Sequence, residues 1–247
     1  MTLSHKLTLV TLAVSSLSGA SAMAEEDHDP SDIARATTSF TVGATNKGDV
    51  KGVLTYAFPV NDTQQGMVVV EGDMNNEGKY KDARAQYFHV FNFENSTVPK
   101  IAASLDLIDN ASMTTAALGA VVAVTPVEQF SMYLRGGVLG GEYSDAMTNQ
   151  FGISDNTTVG GMAAGYFSLK TGSDGTYIML SPEYTYTGGD IETSTLKTSL
   201  RVGTPMNAAK THWGELRLEN TYGTFESVSM TQDIDDTVAW FMYKSFF

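Results

Sequence analysis

Asp236-Thr237-Val238-Ala239-Trp240-Phe241-Met242-Tyr243-Lys244-Ser245-Phe246-Phe247 is the stretch on which the fold turns. Its pattern has a period of two, the geometry of a strand whose successive side chains point to opposite faces. Phe241, Tyr243 and Phe247 share one phase, and Lys244 falls on the other. One face of this strand is therefore strongly aromatic. Left uncovered at the edge of a soluble sheet, such a face invites aggregation.

The same period runs back through the chain to about Thr37, with no long helical pattern. Clusters of Gly, Asn, Asp and Pro break it into segments. The strands expected are 37–46, 50–59, 66–74, 83–93, 99–108, 112–124, 128–143, 157–170, 175–187, 193–204, 212–224 and 236–247. That even count lets a closed antiparallel barrel keep both chain ends on one side; ten and fourteen are the neighbouring even counts. The longest connections expected are the seventh, 144–156, and the eleventh, 225–235, both on the side away from the chain ends. Acidic residues gather on that side, among them Asp49, Asp73, Asp82, Asp109, Glu192 and Asp236, against Lys47, Lys79 and Lys81.

The other end of the chain sets the compartment. Lys6 followed by apolar 7–17 and by Ala20-Ser21-Ala22-Met23-Ala24 reads as an export signal over 1–24. Residues 25–36 begin with Glu25-Glu26-Asp27-His28-Asp29 and are expected to form a flexible acidic segment; 37–247 form one domain. The sequence contains no cysteine, which excludes disulfides and thiolate chemistry. Without Lys6 the balance is 14 basic against 28 acidic residues, which argues against nucleic acid as a partner.

The terminal stretch resembles the C-terminal targeting strand of Gram-negative outer-membrane proteins, with Phe241, Tyr243 and Phe247 as the assembly signal. Ser245 departs from that pattern, which has an apolar residue there. The resemblance implies an all-β fold, a closed antiparallel transmembrane barrel of about twelve strands, in the outer membrane. It also implies barrel-assembly machinery, outer-membrane lipid and lipopolysaccharide as partners. No motif ties the chain to a particular member of the porin-like class.

In a barrel, one phase of each strand meets lipid and the other the lumen. Leu216 and Leu218 oppose Glu215, Arg217 and Glu219; Leu196, Leu200 and Val202 oppose Lys197, Ser199 and Arg201. The lumen expected from this alternation carries Lys51, Arg84, Lys100, Arg135, Lys197, Arg201, Arg217 and Lys244, with Glu71, Asp106, Glu183, Glu215 and Glu219. Such a lining either selects solutes by sign or braces the wall through ion pairs. Aromatics near strand ends, such as Tyr56, Phe58, Phe91, Phe93, Tyr184 and Tyr186, suit interfacial girdles. The Gly- and Ala-rich segments 112–124 and 157–170 do not reveal their faces.

Catalysis finds little support. After the signal only His28, His89 and His212 remain, and neither of the last two is followed two residues later by the Ser of an outer-membrane phospholipase. Asp233, Asp235 and Asp236 are weak candidates for a cation, since their spacing lacks a full calcium-loop pattern. No cofactor is expected. The function expected is passive diffusion of small hydrophilic solutes, with a closed adhesive barrel acting through acidic loops as the alternative.

Overall fold

The computed structural model describes residues 28–95 and 97–247; the expected signal, 1–24, lies outside them. The described strands are β1 Ser39–Thr45, β2 Val50–Asn61, β3 Gln64–Met74, β4 Tyr80–Asn92, β5 Lys100–Asn110, β6 Met113–Val127, β7 Phe130–Tyr143, β8 Thr157–Lys170, β9 Tyr177–Gly189, β10 Glu192–Pro205, β11 His212–Glu226 and β12 Thr231–Phe246. Each pairs antiparallel with its neighbours in sequence, and β1 pairs with β12 to close a twelve-stranded barrel. Closure leaves no unpaired edge, so the aromatic terminal strand is hydrogen-bonded on both sides.

The exposure pattern is that of a barrel inside out. Leu118, Val138, Val159 and Phe241 stand outward and are 62–70% exposed, whereas Asp106 is fully buried and Arg135 is 7% exposed. The wall therefore offers an apolar outer face and a polar inner one. In β12 the alternation places Phe241, Tyr243 and Phe247 outside and Trp240, Met242 and Lys244 inside. Tyr56, Phe58, Phe91, Phe93, Tyr184 and Tyr186 also lie on the outer face or its rim.

The register settles the strands whose faces periodicity leaves open. In β6 and β7 the inner face runs through Gly119, Val121 and Ala123 opposite Gly137, Arg135 and Tyr133. Gly119 and Gly137 face each other, and a Cβ on Gly137 would come within 2.7 Å of the Leu118 carbonyl oxygen. Only glycine permits so close an approach of the two backbones.

Three features depart from the sequence reading. β12 begins at Thr231 rather than Asp236, so the eleventh connection shrinks to 227–230. Gln232, Ile234 and Asp236 keep the inward phase and pair with Phe225, Gly223 and Thr221 of β11, so the alternation extends past the apolar band. A short helix, α1 (Asp145–Phe151), lies within the seventh connection. Ser144 caps it by accepting from the Met147 N–H, and Gly152 ends it at φ 65°. Met147 and Phe151 bury against Tyr143, Ile191, Phe225 and Met230, so α1 covers one side of the mouth away from the chain ends.

The third departure is the segment before β1. Over its described part, 28–36, the chain does not behave as a solvated tail but enters the end of the lumen nearest the termini. Lys170 Nζ lies 2.6 Å from Asp29 Oδ2, and Lys100 Nζ lies 2.6 Å from Asp32 Oδ2. Tyr133 donates its hydroxyl to Asp32 Oδ1 at 3.1 Å. Ala34 is buried among Val90, Ala102, Val121, Ala123 and Tyr133, while Ile33 also meets the cluster of Tyr177, Met179, Trp213 and Phe246. The acidic residues that suggest solvation are held here by two lysines of the inner wall, and Ile33 and Ala34 supply the apolar wedge.

Candidate pore lining

Every side chain read as facing the lumen stands on the inner wall, because the antiparallel register carries one phase from strand to strand and its shifts lie at the strand ends. The register also decides which of them meet. Glu71 of β3 lies opposite Arg84 of β4, and Gln86 lies opposite Asp106 of β5. Arg201 and Arg217 are direct cross-strand partners on β10 and β11. Like charges so placed repel, so each needs a carboxylate.

The carboxylates are in place. Asp106 receives Arg135, Arg84 at 3.2 Å and the Gln86 amide at 2.6 Å. Ser104 Oγ lies 3.3 Å from the same Arg135 nitrogen. Arg201 Nε lies 3.3 Å from Glu215 Oε1, and Tyr177 donates to the other oxygen of Glu215 at 2.9 Å. Glu219 sits between Lys197 at 3.3 Å and Arg217 at 3.9 Å. Tyr166 donates to Glu183 at 3.5 Å. Lys51 pairs with Glu71 and, at 3.2 Å, with Asp73.

Lys244 has a different environment. It sits 4.8 Å from the Phe246 ring and makes no ion pair among the described residues. Lys51 and Arg217 lie 5.1 and 5.4 Å from the Trp240 ring, so one indole faces two cations. Lys100 faces inward as expected, but its partner is Asp32 of the N-terminal segment.

Two levels of charge follow. A belt of Arg84, Arg135, Lys197, Arg201, Arg217 and Lys244 against Asp106, Glu183, Glu215 and Glu219 carries a net +2. Toward the loop mouth, Lys51 against Glu71, Asp73 and Asp82 carries −2. Beneath the belt a cavity of about 280 Å³ is bounded by Arg84, Arg135, Arg201 and Lys244 and, from the N-terminal segment, by Ile33 and Arg35.

Sequence reasoning missed the inward aromatics Phe88, Tyr133, Tyr166, Tyr177, Trp213 and Trp240, which narrow the lumen. Their phase relative to Arg135, Arg201 and Arg217 was available in the sequence as a signal. The three weak cation candidates do not converge. Asp233 and Asp235 point outward, while Asp236 is on the inner phase and pairs with Lys47, since adjacent strand residues face opposite ways. His89 and His212 are on the outer face beside Tyr87 and Tyr243, and His28 stacks on Phe246.

No protein-family model matches the sequence, and no curated protein does. Solved structures match over nearly their whole length. The KdgM porin is 11% identical, with 85% of this chain and 99% of that one covered at a TM-score of 0.52. The NanC porin is 7% identical with the same coverage and a TM-score of 0.58. The COG4313 outer membrane channel of Pseudomonas putida F1 is 12% identical, covering 89% of this chain and all of that one at 0.51. The fold is that of outer-membrane channels. The likeness is one of fold: a closed barrel whose outer face is apolar, as the lipid-facing surface of a transmembrane barrel is.

Proposed function

We propose that this barrel is a porin-like channel for small hydrophilic solutes, with a preference for anions set at the arginine belt. The observation that carries the preference is the excess of cations in the belt, where Lys244 makes no ion pair among the described residues and Arg84 and Arg135 share the single carboxylate of Asp106. Both arginines meet Asp106 through Nη2, so their Nε–H groups have no hydrogen-bond partner among the described residues, whereas Arg201 and Arg217 turn Nε toward Glu215 and Glu219 at 3.3 and 3.9 Å. A planar carboxylate or similar oxyanion is the group a guanidinium recognises best. One neighbouring structure bears on this: the KdgM porin has also been solved in complex with disordered oligogalacturonate, a polyanion, at 10% identity and a TM-score of 0.53. No catalytic role is proposed for His28, His89 or His212.

In the orientation proposed, the chain ends lie in the periplasm and α1 lies outside. Phe241, Tyr243 and Phe247 are the side chains proposed for recognition by the assembly machinery; the outer face meets lipid, and the acidic mouth meets lipopolysaccharide. A second reading, a closed barrel acting through its loops, is favoured by one observation, the wedge of Ile33 and Ala34.

Conductance in planar bilayers separates the two. The protein without its signal and a variant lacking 25–36 are compared under a salt gradient. Discrete steps, larger in the shortened variant and reversing at the potential of an anion-selective pore, are expected. A silent bilayer from both proteins, each shown to be folded by its heat-modifiable migration, would overturn the channel reading.

A further inference from the structure

The mouth away from the chain ends contains a cluster that ion pairing leaves incomplete. Asp73 of β3 and Asp82 of β4 are direct cross-strand partners, both on the inner face. Glu71 lies two residues along the same face, and one oxygen from each of the three carboxylates falls within 4.8 Å of the others. Like charges directly opposite on a sheet are destabilising, so such a pair persists where something neutralises it.

Lys51 answers only part of this charge. It reaches Glu71 and, at 3.2 Å, Asp73 Oδ2. The other oxygen, Asp73 Oδ1, is buried without a hydrogen-bond partner, and Asp73 as a whole is 4% exposed. Asp82 forms no ion pair or side-chain hydrogen bond among the described residues. Of the further cations, Lys81 is turned to Asp49 at 2.6 Å by the bulge that displaces it from the ladder, and Arg84, opposite Glu71, pairs with Asp106 at 3.2 Å. Three carboxylates and one lysine leave a charge of −2.

We infer that Glu71, Asp73 and Asp82 bind a divalent cation, Ca²⁺, at the loop mouth of the lumen. The donors are all carboxylate oxygen, which suits a hard cation, and their spacing is spanned by Ca–O bonds of about 2.3–2.6 Å. Asp73 supplies an oxygen from the buried wall, where its Oδ1 has no hydrogen-bond partner, and Asp82 and Glu71 close on the ion from the partly exposed side. Water completes the shell. The bound ion cancels the −2 of the cluster and joins β3 to β4 beside the loop 75–79. With three carboxylates and a competing lysine, the affinity falls in the range of extracellular sites, with a Kd of about 10⁻⁴–10⁻³ M.

Trp240 provides the reporter. It is one of two tryptophans in the chain, and Lys51 bridges it to the cluster, 5.1 Å from the indole and 3.2 Å from Asp73. Tb³⁺ added to the protein folded in detergent micelles is expected to show tryptophan-sensitised emission that Ca²⁺ displaces. Asp82→Asn leaves the Lys51 pairs intact, so it is expected to fold and to weaken binding at least tenfold. Lys51→Met removes the competing charge and is expected to tighten binding about tenfold. Trp240→Phe is expected to abolish the sensitised emission while Ca²⁺ binding measured by calorimetry persists. Emission unchanged in Asp82→Asn, or no Ca²⁺ binding by calorimetry to the folded parent protein, would overturn the assignment. Neither readout requires the barrel to conduct.

Discussion

Replacing Asp106 with Asn tests whether the belt braces the barrel or lines a wet passage. The carboxylate is fully buried and serves Arg135, Arg84 and Gln86 at once. Asn keeps the volume and one acceptor but removes the charge, leaving Arg135, with a side chain only 5% exposed, facing Arg84 without an anion between them. Removing one partner of a buried pair costs about 3–5 kcal/mol; the retained acceptor and the 26% exposure of the Arg84 side chain favour the lower end. With a urea m-value near 3 kcal/mol/M, the unfolding midpoint in micelles falls by roughly 1 M. Were these guanidinium groups solvated like surface pairs, the loss would be about 0.2–1 kcal/mol, a shift of roughly 0.3 M or less. A double-mutant cycle with Arg135→Ala isolates the pair from the effect of either change alone. A shift below that smaller bound, with near-zero coupling, would refute a bracing belt.

Two further outcomes follow from the wall and from the segment it holds. Leu118, 62% exposed on the lipid face level with Leu105 and Val138, changed to Arg should cost about 2–4 kcal/mol of folding free energy in lipid vesicles; a cost near zero would mean that the assigned faces are reversed. Burial alone would push the Asp29 carboxyl up, but hydrogen bonds from Lys170 and Ser31 and the Lys170 charge outweigh it and hold it below its usual 3.8. A lowered value stabilises the folded form above the unfolded pKa, and that contribution disappears as pH falls through the folded one. Hydrogen-exchange protection of 28–36 should therefore be constant from neutral pH down to about 4 and decline only below it; loss beginning near pH 6 would show that another group holds the segment.

Much of this molecule is legible in its sequence because barrel strands obey one rule. A period of two gives the face, so Arg201, Arg217 and Glu219 can be placed inside without knowing what they touch. What they touch depends on register, which periodicity does not contain. Asp73 and Asp82 read as separate rim acids, yet a turn at 75–79 sets them opposite each other and beside Glu71. Conversely, Asp235 and Asp236 are adjacent in sequence and face opposite ways. α1 is too short at seven residues to give a helical period, and only Ser144 and Gly152 mark its ends. The segment 28–36 escapes for another reason: acidic composition signals solvation only when no complementary charge awaits it, and Lys100 and Lys170 lie far along the chain.

Those two lysines separate the closing of the lumen from the integrity of its wall. Asp29 and Asp32 engage Lys170 and Lys100, whereas the belt pairs Arg84–Asp106, Arg135–Asp106, Arg201–Glu215 and Arg217–Glu219 run from wall to wall. The N-terminal segment can therefore leave without disturbing the ion pairs that hold the barrel. Its departure takes the Ile33 wedge out of the passage and uncovers two lysines at the end toward the chain termini, extending the positive belt along the axis. Widening and anion preference then change together. A variant that frees the segment by charge reversal at Asp29 and Asp32 should conduct more and discriminate more strongly against cations, whereas a passive tail would alter neither.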